Sequence, residues 1–333
     1  MMVAFAMASA VVPSLLLLWY FHSRDSFPEP PRVVWTTFAL GALAIIPVCV
    51  VAFPFAMLIE AVLGGVPLLH GPADAFLTAA IPEETFKLAV LAWYAGRHSE
   101  FDEPMDGVVY GAAASLGFAT LENALYCADG GLTLAAIRAL TAVPIHAGCG
   151  ALMGYWYGRS RFEPERRRSL LARAWIVPVL IHGVYDAPLL TLKGLVAAGD
   201  PPLFLAAPLA CLGIVVVVIV FVATIVIVRR ARRRQAERGP PVPLPPRDPM
   251  TASTGTRVGG FALLGFAGLS ATVGGTFFLA VAIVLATEGT LPTSAPGAMI
   301  GAFVLFGIAP LAVGLGLFGL AIKLLNLPRA AVS

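Results

Sequence analysis

The sequence predicts an all-α protein: a polytopic transmembrane helical bundle of about nine spans. Three observations predict it. Hydrophobic residues make up 59% of the 333 and charged residues only 12%, about half the charge of an average soluble domain. The run LFLAAPLACLGIVVVVIVFVATIVIV at 203–228 is longer than the roughly 18 apolar residues that suggest a spanning helix. The apolar segments are long and continuous, unlike the short alternating strands of a membrane β-barrel.

Apolar stretches at 2–21, 33–58, 73–96, 106–127, 132–158, 170–192, 203–228, 258–286 and 296–325 supply the spans. Gly and Pro mark the joints between them, as in GGVPLLHGP, GDPP and EGTLPTSAPG. The first stretch has no basic residue before Arg24. It therefore lacks the positive start of a secretory signal and is expected to stay in the membrane. With the N-terminus outside, Lys87 and Arg138 fall within spans and Lys193 falls outside. The other 19 of the 22 Lys and Arg lie on the inner side. That asymmetry fixes the orientation, with the C-terminus cytoplasmic. It points to a multi-pass protein of the bacterial cytoplasmic membrane.

Three regions follow. Residues 1–230 hold seven spans. Residues 231–257, basic and then Pro-rich, form a cytoplasmic linker. Residues 258–333 add two spans rich in Gly and Ala, suited to close helix packing. Cys49, Cys127, Cys149 and Cys211 form no CxxC pair. They indicate neither a disulfide framework nor a thiolate zinc site.

The chemistry is concentrated in four consecutive spans. An ionisable side chain in the hydrocarbon region costs about 2.5–3.5 kcal/mol on insertion scales, so it faces the protein interior and marks function. The third span carries Glu83, Glu84 and Lys87, the fourth Glu122 and Asn123, the fifth Arg138 and His146, the sixth His182 and Asp186. Glu83 lies about 10 residues into its span, roughly 15 Å from the outer boundary at 1.5 Å per residue. Counted the same way, the others also fall between the midplane and the outer surface, so one outward-opening cavity can hold them all. His182 and Asp186 are i,i+4 neighbours, as are Glu83 and Lys87. The Asp186 carboxylate can orient the His182 imidazole. Arg138 is expected to pair with a buried carboxylate.

Such a set can activate water in two ways, and spacing does not choose between them. Glu122, His146 and His182 can hold Zn²⁺ with a position left for water, another carboxylate acting as base. Alternatively, a glutamate activates water without a metal while a histidine donates to the oxyanion. A proton- or ion-coupled transporter is the rival reading of the same cluster. The absence of an inverted repeat and of paired broken helices speaks against it.

The pieces EETFK (83–87), FATLE (118–122), HAGCG (146–150) and HGVYD (182–186) together resemble the motifs of the PrsW family of intramembrane proteases, within the CAAX-protease and bacteriocin-processing superfamily. The likeness covers about residues 1–230. Lys87 matches the PrsW motif, where CAAX-type relatives have an arginine one residue later. The resemblance implies hydrolysis of a membrane-anchored protein, such as an anti-sigma factor, near its extracytoplasmic side. It implies Glu83 and Glu84 as the water-activating pair and Glu122, His146 and His182 as ligands or water-positioning groups. The expected partners are that substrate and the lipid bilayer, not nucleic acid.

Overall fold

A computed structural model describes residues 2–199 and 201–239. The last two expected spans and most of the Pro-rich linker lie outside the described residues. Every described element is helical: α1 (Met2–Ser23), α2 (Pro31–Leu43), α3 (Ile45–Leu63), α4 (Pro67–Asp74), a π-helical segment (Ala75–Ala80), α5 (Ile81–Trp93), α6 (Pro104–Leu140), α7 (Ala142–Phe162), α8 (Arg167–Ala198) and α9 (Leu203–Arg238), with 3₁₀ turns at Ala95–Arg97 and Pro164–Arg166. Among the described residues, four segments are long and apolar enough to cross a membrane: Pro31–Leu63, Thr133–Phe162, Pro164–Ala198 and Leu203–Glu237. Among the described residues the protein is all-helical, with the apolar spans of an integral membrane protein. The chain divides into two compact units. One holds 1–48 and 65–246, including every candidate site residue. The described part of the other is the 49–64 stretch of α3.

Helix α6 is the axis of the first unit. Its residues from Met105 to Ala119 are almost wholly sequestered, and α1, α2 and α7 pack around it. Its start is well specified. Pro104 occupies the first turn, and Asp106 accepts the backbone N–H groups of Asp102 and Glu103, each at 2.7 Å, in a capping box.

Small residues let α7 approach. Gly107, Gly111 and Ser115 recur every four residues on α6, and Gly150, Gly154 and Gly158 do so on α7. A Cβ on Gly154 would fall 1.7 Å from the Gly107 carbonyl oxygen, and one on Gly111 would fall 2.3 Å from that of Gly150. Only hydrogen fits at these positions, the close packing that membrane helices use in place of hydrophobic burial. Continued by helical spacing, the stripe on α7 reaches His146 and the stripe on α6 reaches Glu122. The packing that joins the helices thus sets the register between these two residues.

Three boundaries differ from those read in the sequence. The fourth apolar stretch continues to Leu140 across a kink at Gly131, where φ is 68°, a conformation glycine tolerates. Helix α7 therefore starts at Ala142, and His146 sits in its first turns. The third stretch is not one helix. A π-helical segment precedes α5, ending beside Pro82, whose missing N–H cannot extend regular pairing. Finally, α9 runs to Arg238, so the first eight residues expected in the linker are helical. Arginine is a good helix former, and positive charge at a helix C-terminus interacts favourably with the helix dipole.

Candidate active site

The polar residues of the four central stretches come together. Lys87 lies at their centre, fully buried. Its Nζ donates to Glu83 Oε2 at 3.0 Å and to Glu84 Oε1 at 3.0 Å, and meets His146 Nδ1 at 2.9 Å. It also stands 4.3 Å from the centre of the Phe118 ring, a cation–π contact. An ammonium has only donors, so His146 Nδ1 accepts from it and His146 Nε2 donates to Glu122 Oε2, 2.9 Å away. The Lys87 contact thus selects one imidazole tautomer.

Glu122 has a second partner at the same oxygen. Arg138 Nη2 reaches Glu122 Oε2 at 2.7 Å, and Arg138 Nε donates to Asn123 Oδ1 at 2.7 Å. The guanidinium lies 4.0 Å from the centre of the Tyr126 ring. The kink at Gly131 makes this pairing possible, because it turns the last part of α6 back so that Arg138 meets residues earlier on the same helix.

His182 bridges two carboxylates. Its Nδ1 is 2.9 Å from Glu84 Oε1, and its Nε2 is 2.9 Å from Asp186 Oδ2 and 3.9 Å from Glu83 Oε2. The two imidazoles meet edge to face with centroids 5.0 Å apart. Helix α8, which carries His182, is tied at two points. Trp175 Nε1 donates to Thr85 Oγ1 on α5 at 2.8 Å, and Tyr185 Oη donates to Thr141 Oγ1 at the head of α7 at 2.9 Å. These uncharged anchors gave no signal in the sequence, since Trp, Tyr and Thr are common in any membrane helix.

All nine candidate residues join one network. Its depth is graded: the Glu84 and Lys87 side chains are wholly covered, whereas those of Asp186 and Glu122 keep 22% and 15% of their surface. The network therefore has an accessible edge at Asp186, Glu122 and Arg138 and a sealed centre.

Glu83, Glu84, His146 and His182 each offer a ligand atom, and those four atoms lie within 4.8 Å of one another. Glu84 Oε2 is buried without a hydrogen-bond partner, a spare lone-pair site pointing to unmet demand for a cation or donor. Two carboxylates and two imidazoles suit zinc. Of the trio expected from sequence, His146 and His182 belong to this group, while Glu122 engages Arg138 and the far side of the His146 ring.

A membrane bundle that buries paired glutamates against two histidines holds the kind of side-chain set that hydrolytic enzymes use. The particular kind follows from comparison. Residues 29–227 match the PrsW family of intramembrane metalloproteases, and the chain belongs to that family. It is 41% identical over 185 residues to Protease PrsW of Geobacillus kaustophilus, covering 55% of this chain and 79% of the relative. It is 38% identical over 185 residues to Protease PrsW of Bacillus subtilis, covering 55% and 82%. Protease PrsW of Clostridioides difficile is similar at 28% over 188 residues, covering 53% and 76%. No solved structure matches. The protein is an intramembrane protease.

Proposed function

We propose that this protease hydrolyses a peptide bond in a single-span, membrane-anchored protein near the outer leaflet, with its own N-terminus outside. An anti-sigma-factor-like protein fits that description. The observation that carries the reading is the convergence of Glu83, Glu84, His146 and His182 around one buried ammonium. Residues 1–230 form the catalytic region. The segment 258–333 is a two-span addition reached through the linker.

Roles follow from access. Glu83 keeps 8% of its side-chain surface and Glu84 none. Glu83 is the general base: it takes a proton from the attacking water and returns it to the leaving amine. Glu84, held by Lys87 and His182, is the fixed charge that positions both. His146, held by Glu122, and His182, held by Asp186, are imidazoles of set orientation beside the two glutamates. Lys87, sealed between them, supplies the positive charge that lets Glu83 and Glu84 stand side by side. A zinc-type ion held by Glu84, His146 and His182 would add Lewis-acid polarisation of water.

The test is Glu83→Gln in cells expressing the full chain, with new N-termini mapped in membrane proteins by mass spectrometry. Wild-type protein should create termini within or beside single spans, and the variant should lose them while folding normally. Unchanged termini would remove Glu83 from the mechanism. Termini confined to the cytoplasmic side would reverse the orientation.

A further inference from the structure

Away from the candidate active site, the ends of α7 and α9 and the turn before α8 line an open cavity of about 640 Å³, within the usual range for ligand sites. Five guanidinium groups line it, from Arg159, Arg166, Arg230, Arg233 and Arg234. Glu163 satisfies some of them: Arg159 binds both its oxygens, at 2.7 and 2.8 Å, and Arg234 reaches Oε1 at 3.0 Å. With Glu237, also on the wall, two carboxylates stand against five cations, leaving three positive charges unmatched. Arg230 and Arg233 have no carboxylate partner among the described residues.

The surface above this cavity says what kind of anion it receives. On α9, Val222, Val226, Arg230 and Arg233 follow one another at steps of four, four and three, so they share a helix face. Val222 and Val226 are 53% and 38% exposed, an apolar stripe that ends where the arginines begin. We propose that the cavity binds the phosphate of an anionic phospholipid headgroup. The acyl chains would lie along Val222 and Val226, and the phosphate would take paired hydrogen bonds from Arg230 and Arg233. Guanidinium matches phosphate in two-point geometry, and basic pockets at the ends of membrane helices suit such headgroups. A water-soluble phosphate compound would use the arginines but not the apolar stripe.

The experiment uses the full chain in nanodiscs of phosphatidylcholine alone or mixed with phosphatidylglycerol or cardiolipin. Native mass spectrometry counts lipids retained on release. Wild type should retain anionic lipid at least tenfold over phosphatidylcholine. The pair Arg230→Gln/Arg233→Gln should lose that preference. The control pair Arg229→Gln/Arg232→Gln, exposed but outside the cavity, should keep it. Equal retention by wild type and the first pair would overturn the site, and equal loss in both pairs would reduce it to general surface charge. Displacement of the bound lipid by millimolar glycerol phosphate would overturn the lipid assignment in favour of a soluble ligand.

Discussion

Helix α6 meets two buried acid clusters, one at its start and one midway along it, and the two are neutralised differently. About 24 Å along the helix separates Asp106 from Glu122 at 1.5 Å per residue. Around Glu122, carboxylates meet the cations Arg138 and Lys87 and the imidazoles of His146 and His182. Around Asp106 stand Asp25, Glu29 and Glu103, all buried, and the donors that reach them are neutral. Gln235 on α9 donates to Asp25 and Glu103, and Tyr110 donates to Glu29. The first arrangement keeps charge inside the protein, as the proposed water activation requires. The second ties α1, α6 and α9 together and does best with its carboxyls protonated. Burial pushes Glu103 up to about 7 and Glu29 up to about 8.

The largest effect should come from removing the central cation. Lys87→Met leaves Glu83 and Glu84 facing each other without a counter-charge in a sealed site. Breaking a buried ion pair from one side costs about 3–5 kcal/mol. Thermal unfolding in detergent should show a variant that barely folds. Lys87→Met/Glu84→Gln should recover much of that stability but no cleavage, because removing both partners avoids the stranded charge. If Lys87→Met were stable and active, the ammonium would not be what holds these carboxylates.

A second substitution tests whether α6 couples the two clusters. Gly154→Val places side-chain atoms where the Gly107 carbonyl already lies. Overpacking of this kind costs about 1–3 kcal/mol. Pushing α7 from α6 should both weaken folding and move His146 from Glu122, so cleavage should fall more than stability predicts. Gly65→Ala, with open space around it, is the control and should leave cleavage and unfolding unchanged.

What could be read in the sequence, and what could not, divides along the same lines. Ionisable residues in apolar runs stand out because the membrane makes them costly, so all nine residues of the buried polar network were visible. Pairs at i,i+4 were visible too: Glu83 with Lys87 and His182 with Asp186 meet at 3.0 and 2.9 Å. Pairs across helices, such as His146 with Glu122, depend on helix register. The glycine stripes that set this register on α6 and α7 carry no charge to draw notice. The π-helical segment has the same apolar composition as an α-helix, so hydropathy passes over it. Asp25, Glu103 and Asp106 stand at the ends of apolar runs, where exposure is the ordinary expectation. Their burial follows from Gln235, more than 200 residues from Asp25 in the chain.

A smaller effect is expected at the edge of the active site. Arg138→Gln removes the charge that holds Glu122 while keeping a side chain able to meet Asn123. Both side chains are partly exposed, at 16% and 15%, so water can replace some of the lost interaction and a loss of about 1 kcal/mol is expected. Because Arg138 acts on His146 only through Glu122, kcat should fall about tenfold with KM nearly unchanged, measured on a peptide derived from the mapped cleavage site. An equal change in KM would place Arg138 against the substrate instead.

The smallest effect separates the two acid clusters by pH. The Glu103 carboxyl titrates higher in the folded protein, at about 7, than its ordinary value of 4.5. The folded state therefore binds more protons than the unfolded state between these values, and stability must fall as pH rises through that window. Below 4.5 both states are protonated and the contribution is fully present. Above 7 it is gone. Glu29 should extend the decline towards 8. Glu103→Gln keeps the shape and cannot ionise, so its unfolding temperature should vary less from pH 4.5 to 7 than that of wild type and exceed it at pH 7 and above. A wild-type protein that gained stability across the same range would show that a cation, not protonation, neutralises this end of α6.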